Sequence, residues 1–208
     1  MRPSVYVIAG VNGAGKSSVA GETFRQSGAD YYNPDEAARR LVTANPSLKQ
    51  TEVNSAAWHE GVRLLKRAID ERLDFAFETT LGANTIPRLL REAADAGIEV
   101  YVLYVGLESP EFHIARVKAR VARGGHDISE KDIRRRYEHS RLNLIELLPF
   151  LRALRIFDNS AEADPASGQT PKPTLVLSTE RGKILGPKDL THTPAWAKPI
   201  VAAALKLQ

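Results

Sequence analysis

Apolar and polar positions along this chain change period repeatedly, and each change marks an element. Residues 5–9, Val-Tyr-Val-Ile-Ala, form a short unbroken apolar run of strand length, and residues 17–25 then take up helical spacing. Asp30-Tyr31-Tyr32-Asn33 is a second short strand, followed by helical periodicity over 35–42 and 56–72. Phe75-Ala76-Phe77-Glu78 predicts a third strand, and 85–96 a helix that Gly97 ends as its C′ residue. Residues 99–107 make the most apolar strand and are expected to be buried on both faces. A helix over 110–123 runs into Gly124-Gly125-His126, and a longer one over 129–148 precedes a fifth strand, Leu154-Arg155-Ile156-Phe157. Strands alternating with helices predict an α/β fold whose parallel sheet is covered on both faces. The remainder reads differently: a Pro/Ala/Ser/Gly-rich loop over 161–173, then 174–178 and 183–185 flanking Glu180-Arg181-Gly182 as a hairpin. Residues 194–207 close the chain as a helix, with Trp196 expected to pack.

The turn between the first strand and its helix carries the chemistry. Gly10-Val11-Asn12-Gly13-Ala14-Gly15-Lys16-Ser17 is a complete P-loop in the strand–loop–helix setting that the motif requires. Gly10, Asn12, Gly13, Ala14, Gly15 and Ser18 would wrap backbone N–H groups round a phosphate at a helix N-terminus. Lys16 would reach the β- and γ-phosphates, and the Ser17 hydroxyl would ligate Mg²⁺. The loop therefore predicts binding of a nucleoside triphosphate, ATP with Mg²⁺. With it the fold expectation sharpens to a three-layer P-loop domain over 1–208, its core at 4–160 holding a mostly parallel five-stranded sheet in the order 2-3-1-4-5. Residues 174–208 are a small hairpin-plus-helix addition.

Composition narrows the rest. The chain has no cysteine, which excludes disulfides, thiolate nucleophiles and Cys-ligated zinc. No charged n-region with an apolar h-region precedes the first strand, and no apolar run approaches a membrane span, so a cytoplasmic protein without a membrane partner is expected. Between Arg116 and Arg141 nine basic residues face four acidic ones, a surplus larger than the +4 of the whole chain. Nucleic acid is one reading of such a stretch. Arginines closing over a triphosphate explain it as well and need no second ligand, so no nucleic-acid partner is expected.

Guanine-reading Asn-Lys-x-Asp and Thr-Lys-x-Asp motifs are absent, which argues against a GTPase. A P-loop, an acid after strand two, an acid after strand three and an arginine-rich lid look like a small-molecule kinase. Asp35 lies just past the second strand, where ligands bind in doubly wound sheets. It could take the acceptor's proton or assist Mg²⁺; equally, it could be a helix N-cap. Glu78, Thr79 and Thr80 end the third strand at the same edge, where they would grip a polyhydroxylated substrate or hold a metal-bound water, or where the carboxylate is simply satisfied by an arginine. Arg116, Arg120 and Arg123 share one helix face, opposite Ile114, Val117 and Val121. They form either a solvated face or, beside the Gly124-Gly125 hinge, a closing lid. Ile133, Tyr137, Ser140, Leu144 and Leu148 make a buried stripe that Arg136 flanks while Arg135 points away, and His126 reads as a loop residue.

These stretches, taken in order, resemble the zeta toxin family of P-loop kinases in its compact bacterial form. The resemblance rests on Ile8 through Ser17, Asn33-Pro34-Asp35-Glu36, Phe77-Glu78-Thr79-Thr80-Leu81, Arg116-Val117, Arg120-Val121, Gly124-Gly125-His126, Arg135-Arg136-Tyr137 and Asp158-Asn159-Ser160. It implies ATP-dependent phosphorylation of the 3′-hydroxyl on the amino sugar of UDP-N-acetylglucosamine. By the family's pattern Asp35 is the base, Glu78 and Thr80 bind substrate, and Lys16 contacts phosphate. A lid pair, Arg120 with Arg135 or Arg136, would stabilise the triphosphate, and any inhibitory antitoxin would be a separate protein. The larger members read Glu-Gly-Thr where this chain has Glu78-Thr79-Thr80. The alternatives left open are a kinase of another small hydroxyl acceptor, such as a nucleoside, sugar or antibiotic, and a nucleotide-gated binding module without transfer.

Overall fold

Strands β1 (Ser4–Ala9), β2 (Tyr31–Tyr32), β3 (Phe75–Thr79), β4 (Glu99–Gly106) and β5 (Ala153–Asp158) lie parallel in the order 2-3-1-4-5. The computed structural model describes residues 2–17, 19, 31–161 and 172–208. The helix expected over 17–25, apart from Ser17 and Val19, lies outside these residues, as do Ser18 and most of the 161–173 loop. The C-terminal hairpin is where the sheet departs from expectation. β6 (Thr174–Glu180) pairs antiparallel with β5, and β7 (Lys183–Gly186) antiparallel with β6, so among the described residues one sheet has seven strands. Pairing covers the row of N–H and C=O groups that β5 would otherwise leave open.

Helices α1 (Pro34–Ala44), α2 (Gln50–Asp70), α3 (Thr85–Asp95), α4 (Pro110–Val121), α5 (Glu130–Leu147) and α6 (Lys198–Leu205), with a 3-10 turn at Leu148–Phe150, complete the described elements. α2 starts six residues before the expected 56, because the Glu52 carboxylate accepts from the Lys49 N–H at 3.1 Å and anchors a first turn too polar to show periodicity. α3 ends in a Schellman motif, with Gly97 N–H on Ala94 O and Ile98 N–H on Ala93 O.

Val5, Val7, Leu90, Val100, Val102, Leu144, Leu154 and Ile156 form the main core. The expectation that β4 is buried on both faces holds only from Tyr104 to Gly106. Glu99, Tyr101 and Leu103 are half-buried, and Tyr101 stacks on Tyr6 at 4.9 Å between ring centroids. Ser140, the polar member of the α5 stripe, bonds the Tyr104 hydroxyl at 3.0 Å; burial pushes that hydroxyl's pKa up to about 12. Trp196 packs over Gly106, where a Cβ would lie 2.2 Å from its ring, and its Nε1 donates to Asp158 Oδ1 at 3.3 Å. The tail is thereby built into the end of the sheet that carries the P-loop.

Candidate active site

The P-loop leaves the carboxyl end of β1 in a conformation that its glycines permit, with φ +84° at Gly13 and +87° at Gly15. Space demands glycine as well, since a Cβ at Gly15 would lie 2.5 Å from Asn159 Nδ2. Three side chains from outside the loop hold it. His113 of α4 bonds the Asn12 carbonyl through Nδ1 at 2.9 Å, and Asn159, just past β5, donates to the Ala14 carbonyl at 2.8 Å. Arg136 of α5 donates to Asn12 Oδ1 at 2.6 Å. Periodicity did not single out His113, whose signal was only a histidine beside the Ile114/Val117 stripe, and Asn159 showed only as part of a quoted triplet.

Glu78, 6% exposed at the end of β3, meets the loop. The Ser17 hydroxyl donates to its two oxygens at 3.2 and 3.3 Å, the Asn33 amide donates to Oε2, and Lys16 Nζ stands 3.9 Å away. Burial pushes its pKa up, only partly opposed by the Lys16 charge. Asn33 also removes one of the alternatives left open for Asp35. Its Oδ1 caps α1 by accepting from the N–H groups of Asp35, at 2.9 Å, and Glu36, at 3.3 Å. Asp35 is therefore not the N-cap; its carboxylate faces the cleft, 3.7 Å from Arg120 Nη1.

Arg120 also donates to the His126 carbonyl at 2.7 Å, while its Nε is buried with no hydrogen-bond partner among the described residues. Arg116 donates to the Asn159 carbonyl at 2.7 Å. Arg135 and Arg136 diverge as adjacent helical residues must. Arg135 lies on the surface, bonded to Asp132 at 2.8 Å, and lines neither of the cavities described below. Arg136 points into the cavity, and burial pushes its guanidinium pKa down. Much of the basic surplus is matched locally: Lys118 pairs with Glu130 at 2.7 Å, Arg134 with Glu111 at 2.6 Å and Arg141 with Glu138 at 2.8 Å.

Two cavities adjoin at Asp35, Asn33, Asn54 and His126, which line both. The smaller, about 330 Å³, has Lys16, Glu78, Thr80 and Arg136 at one end and Tyr32, Trp58, Phe77 and Ile128 as apolar wall. The larger, about 1070 Å³, runs between α1 and α4 and is lined by Ser17, Arg116, Arg120 and Arg123. Thr80 Oγ1 accepts from Gly82 N–H at 3.3 Å, and Asn143 of α5 pins the following turn by donating to Leu81 O at 2.6 Å. His126 is the loop residue expected, and its Nε2 meets the Asn54 amide at 3.0 Å, joining the turn after α4 to α2.

No group of three or more His, Asp or Glu residues is placed to hold a metal ion among the described residues. A Mg²⁺ ion here would be shared with phosphate oxygens, the usual arrangement for that ion. Ser17 beside the buried, charged-form-disfavoured Glu78 fits that use. Among the described residues no helix is long and apolar enough to cross a membrane.

Known proteins match both the sequence and the arrangement. A Haemophilus influenzae protein described only as uncharacterized is 31% identical over 138 residues, covering 66% of this chain and 94% of that one. The crystal structure of AvrRxo1-ORF1:-ORF2 with ATP superposes on 98% of this chain with a TM-score of 0.68 at 14% identity. This chain spans only 64% of that protein's length. The PezAT chromosomal toxin–antitoxin system of Streptococcus pneumoniae matches 99% of this chain and 85% of its own, with a TM-score of 0.55 at 12% identity. At such identities the two structures speak for the fold alone. The family model for zeta toxin matches residues 1–164, which include every strand of the parallel sheet and the whole cleft just described, and the chain belongs to the zeta toxin family.

Proposed function

We propose that this protein is an ATP-dependent kinase that transfers the γ-phosphoryl group to a hydroxyl of a small acceptor, with UDP-N-acetylglucosamine the leading acceptor. The observation that carries the reading is the meeting of Asp35, Lys16, Ser17 and Glu78 at one cleft, with Arg120 and Arg136 reaching in from two different helices. Phosphoryl transfer asks for positioned charge and a proton acceptor, and little else from the protein. Lys16, Arg120 and Arg136 supply cations where charge spreads over the transferring group. Asp35, free of the capping bond and exposed to the cleft, accepts the proton of the attacking hydroxyl. Ser17 and Glu78 would hold Mg²⁺, which when bound neutralises the β- and γ-phosphates. The apolar wall of Tyr32 and Trp58, with Asn54 and Thr80 near it, suits the faces and hydroxyls of a sugar. Membership in the zeta toxin family supports the amino-sugar acceptor, and the match to a toxin–antitoxin system supports a separate antitoxin as partner.

Mass spectrometry of the protein with Mg-ATP and UDP-N-acetylglucosamine tests this, with Lys16→Ala as control. The expected result is one added phosphoryl group on the sugar nucleotide, absent in the control. ATP turnover with the sugar nucleotide unchanged would remove this acceptor. ATP bound without any transfer to cell metabolites would favour the binding-module alternative.

A further inference from the structure

Two of the side chains that hold the P-loop touch it in a way that has a directional consequence. A trans peptide is planar, with its C=O and the following N–H pointing in opposite directions. His113 Nδ1 holds the Asn12 carbonyl at 2.9 Å, and Asn159 Nδ2 holds the Ala14 carbonyl at 2.8 Å. Whatever pins those carbonyls outward aims the N–H groups of Gly13 and Gly15 the other way, into the concave side of the loop. The two peptides are the ones that most need it, because Gly13 and Gly15 have φ +84° and +87° and no side chain to lock them. The neighbouring Ala14 N–H is already taken by Val11 O at 3.1 Å, so the loop's own hydrogen bond does not serve these two.

We propose that His113 and Asn159 are positioning residues of the nucleotide site, each orienting one glycine N–H of the P-loop toward the phosphates of the ligand. The inference rests on the kinase reading only in taking the P-loop to bind phosphate. Both residues are seated for the task. His113 is 1% exposed and packs edge-on against Tyr137 at 5.7 Å, while its own carbonyl would lie 2.8 Å from a Cβ at Gly13, so α4 supports the loop at two points. A carbonyl partner requires the tautomer with the proton on Nδ1. Burial holds the imidazole's pKa down at about 4, with Lys16 and Arg116 adding to the effect against the Asn12 bond, so it donates without placing another cation beside Lys16. Asn159 is fixed from behind: its N–H bonds Gly106 O at 3.0 Å and its C=O accepts from Arg116 at 2.7 Å.

The test measures calorimetric affinity for ATP and for inorganic tripolyphosphate, together with the melting temperature of the ligand-free protein. His113→Asn keeps a donor near the Nδ1 position, His113→Gln moves it toward Nε2, and His113→Leu removes it. Asn159→Asp turns the donor into an acceptor facing the Ala14 carbonyl. The expected result is at least about a tenfold loss of affinity for both ligands in His113→Leu, His113→Gln and Asn159→Asp, with His113→Asn within about threefold of the parent. The Asn/Gln pair keeps the test open if the leucine variant does not fold. Equal affinity in all variants, or equal loss in Asn and Gln tracking the melting temperature, would overturn the inference and leave packing alone. If the parent itself binds neither ligand, it is the phosphate-binding reading that fails.

Discussion

Two glutamates of the central sheet, Glu78 at the carboxyl end of β3 and Glu99 at the amino end of β4, sit in opposite circumstances. Glu99 accepts from the Tyr101 hydroxyl at 2.7 Å and from Arg152 Nε at 3.1 Å, and these bonds hold its pKa below the usual carboxylate range. Glu78 has more hydrogen bonds, yet burial outweighs them and its pKa is raised. At the amino end the charges are matched, with Arg152 also reaching Glu180 at 2.6 Å. At the carboxyl end two carboxylates, a lysine and two arginines are gathered with positive charge to spare, and the Arg120 Nε is buried with no hydrogen-bond partner among the described residues. Perturbed carboxylates in clefts mark functional sites, because a ligand completes what the protein leaves unmatched.

The largest effect that would break this contrast lies with Asp35. Asp35→Asn should lower phosphoryl transfer by about 10²–10⁴-fold while leaving ATP affinity near the parent's, measured by turnover and calorimetry side by side. Retained transfer would remove Asp35 as the base. Next is acid sensitivity. A histidine whose pKa falls from 6.5 to about 4 on folding favours the folded state fully above pH 6.5, and that contribution is lost as pH falls toward 4. Its size is about 3 kcal/mol. Denaturation midpoints between pH 7 and 4 should therefore fall less steeply in His113→Asn than in the parent; identical slopes would contradict the buried neutral imidazole.

Glu78→Gln should act in the opposite sense and more weakly. A carboxyl whose pKa is raised on folding stabilises below the ordinary glutamate value and loses that contribution as pH rises through the raised one. The glutamine variant, lacking the buried charge, should thus gain stability at neutral pH, and the gain should vanish in acid. Its Mg²⁺-dependent gain in ATP affinity should disappear, which calorimetry with and without the ion would reveal. A drop in melting temperature at neutral pH would mean that the Lys16 attraction outweighs burial. The smallest effect belongs to the far end: Arg152→Ala should leave ATP affinity and transfer unchanged, with a smaller change in stability than Glu78→Gln. A loss of ATP affinity there would erase the contrast between the two ends.

How much of this was legible in the sequence follows from how local each signal is. The P-loop is a contiguous string of glycines at fixed spacing, so spacing alone sufficed to find it, though not the side chains that hold it. The parallel sheet order followed from the same motif and from alternation. Arg136 against Arg135 could be assigned because helical geometry puts one beside the apolar stripe and the other away from it. The start of α2 escaped because its first turn has polar residues where periodicity looks for apolar ones. Asp35 as a cap could not be told from Asp35 as a base, since both uses put an acid at the head of a helix; the Asn33 side chain removes the cap reading, and that requires coordinates. The hairpin was legible as a hairpin, but nothing local says which sheet edge it joins.

By itself the sequence determined most of the described elements, the P-loop and the set of charged residues available, because each depends on neighbours within a few positions. Only the tertiary structure decided which of those residues work together. His113 and Asn12 are 101 positions apart, and Asn159 and Ala14 145 apart, and their hydrogen bonds exist only because α4 and the end of β5 converge on the same edge of one sheet. The raised pKa of Glu78 is likewise a property of its surroundings: solvent is excluded by packing that no stretch of five residues encodes.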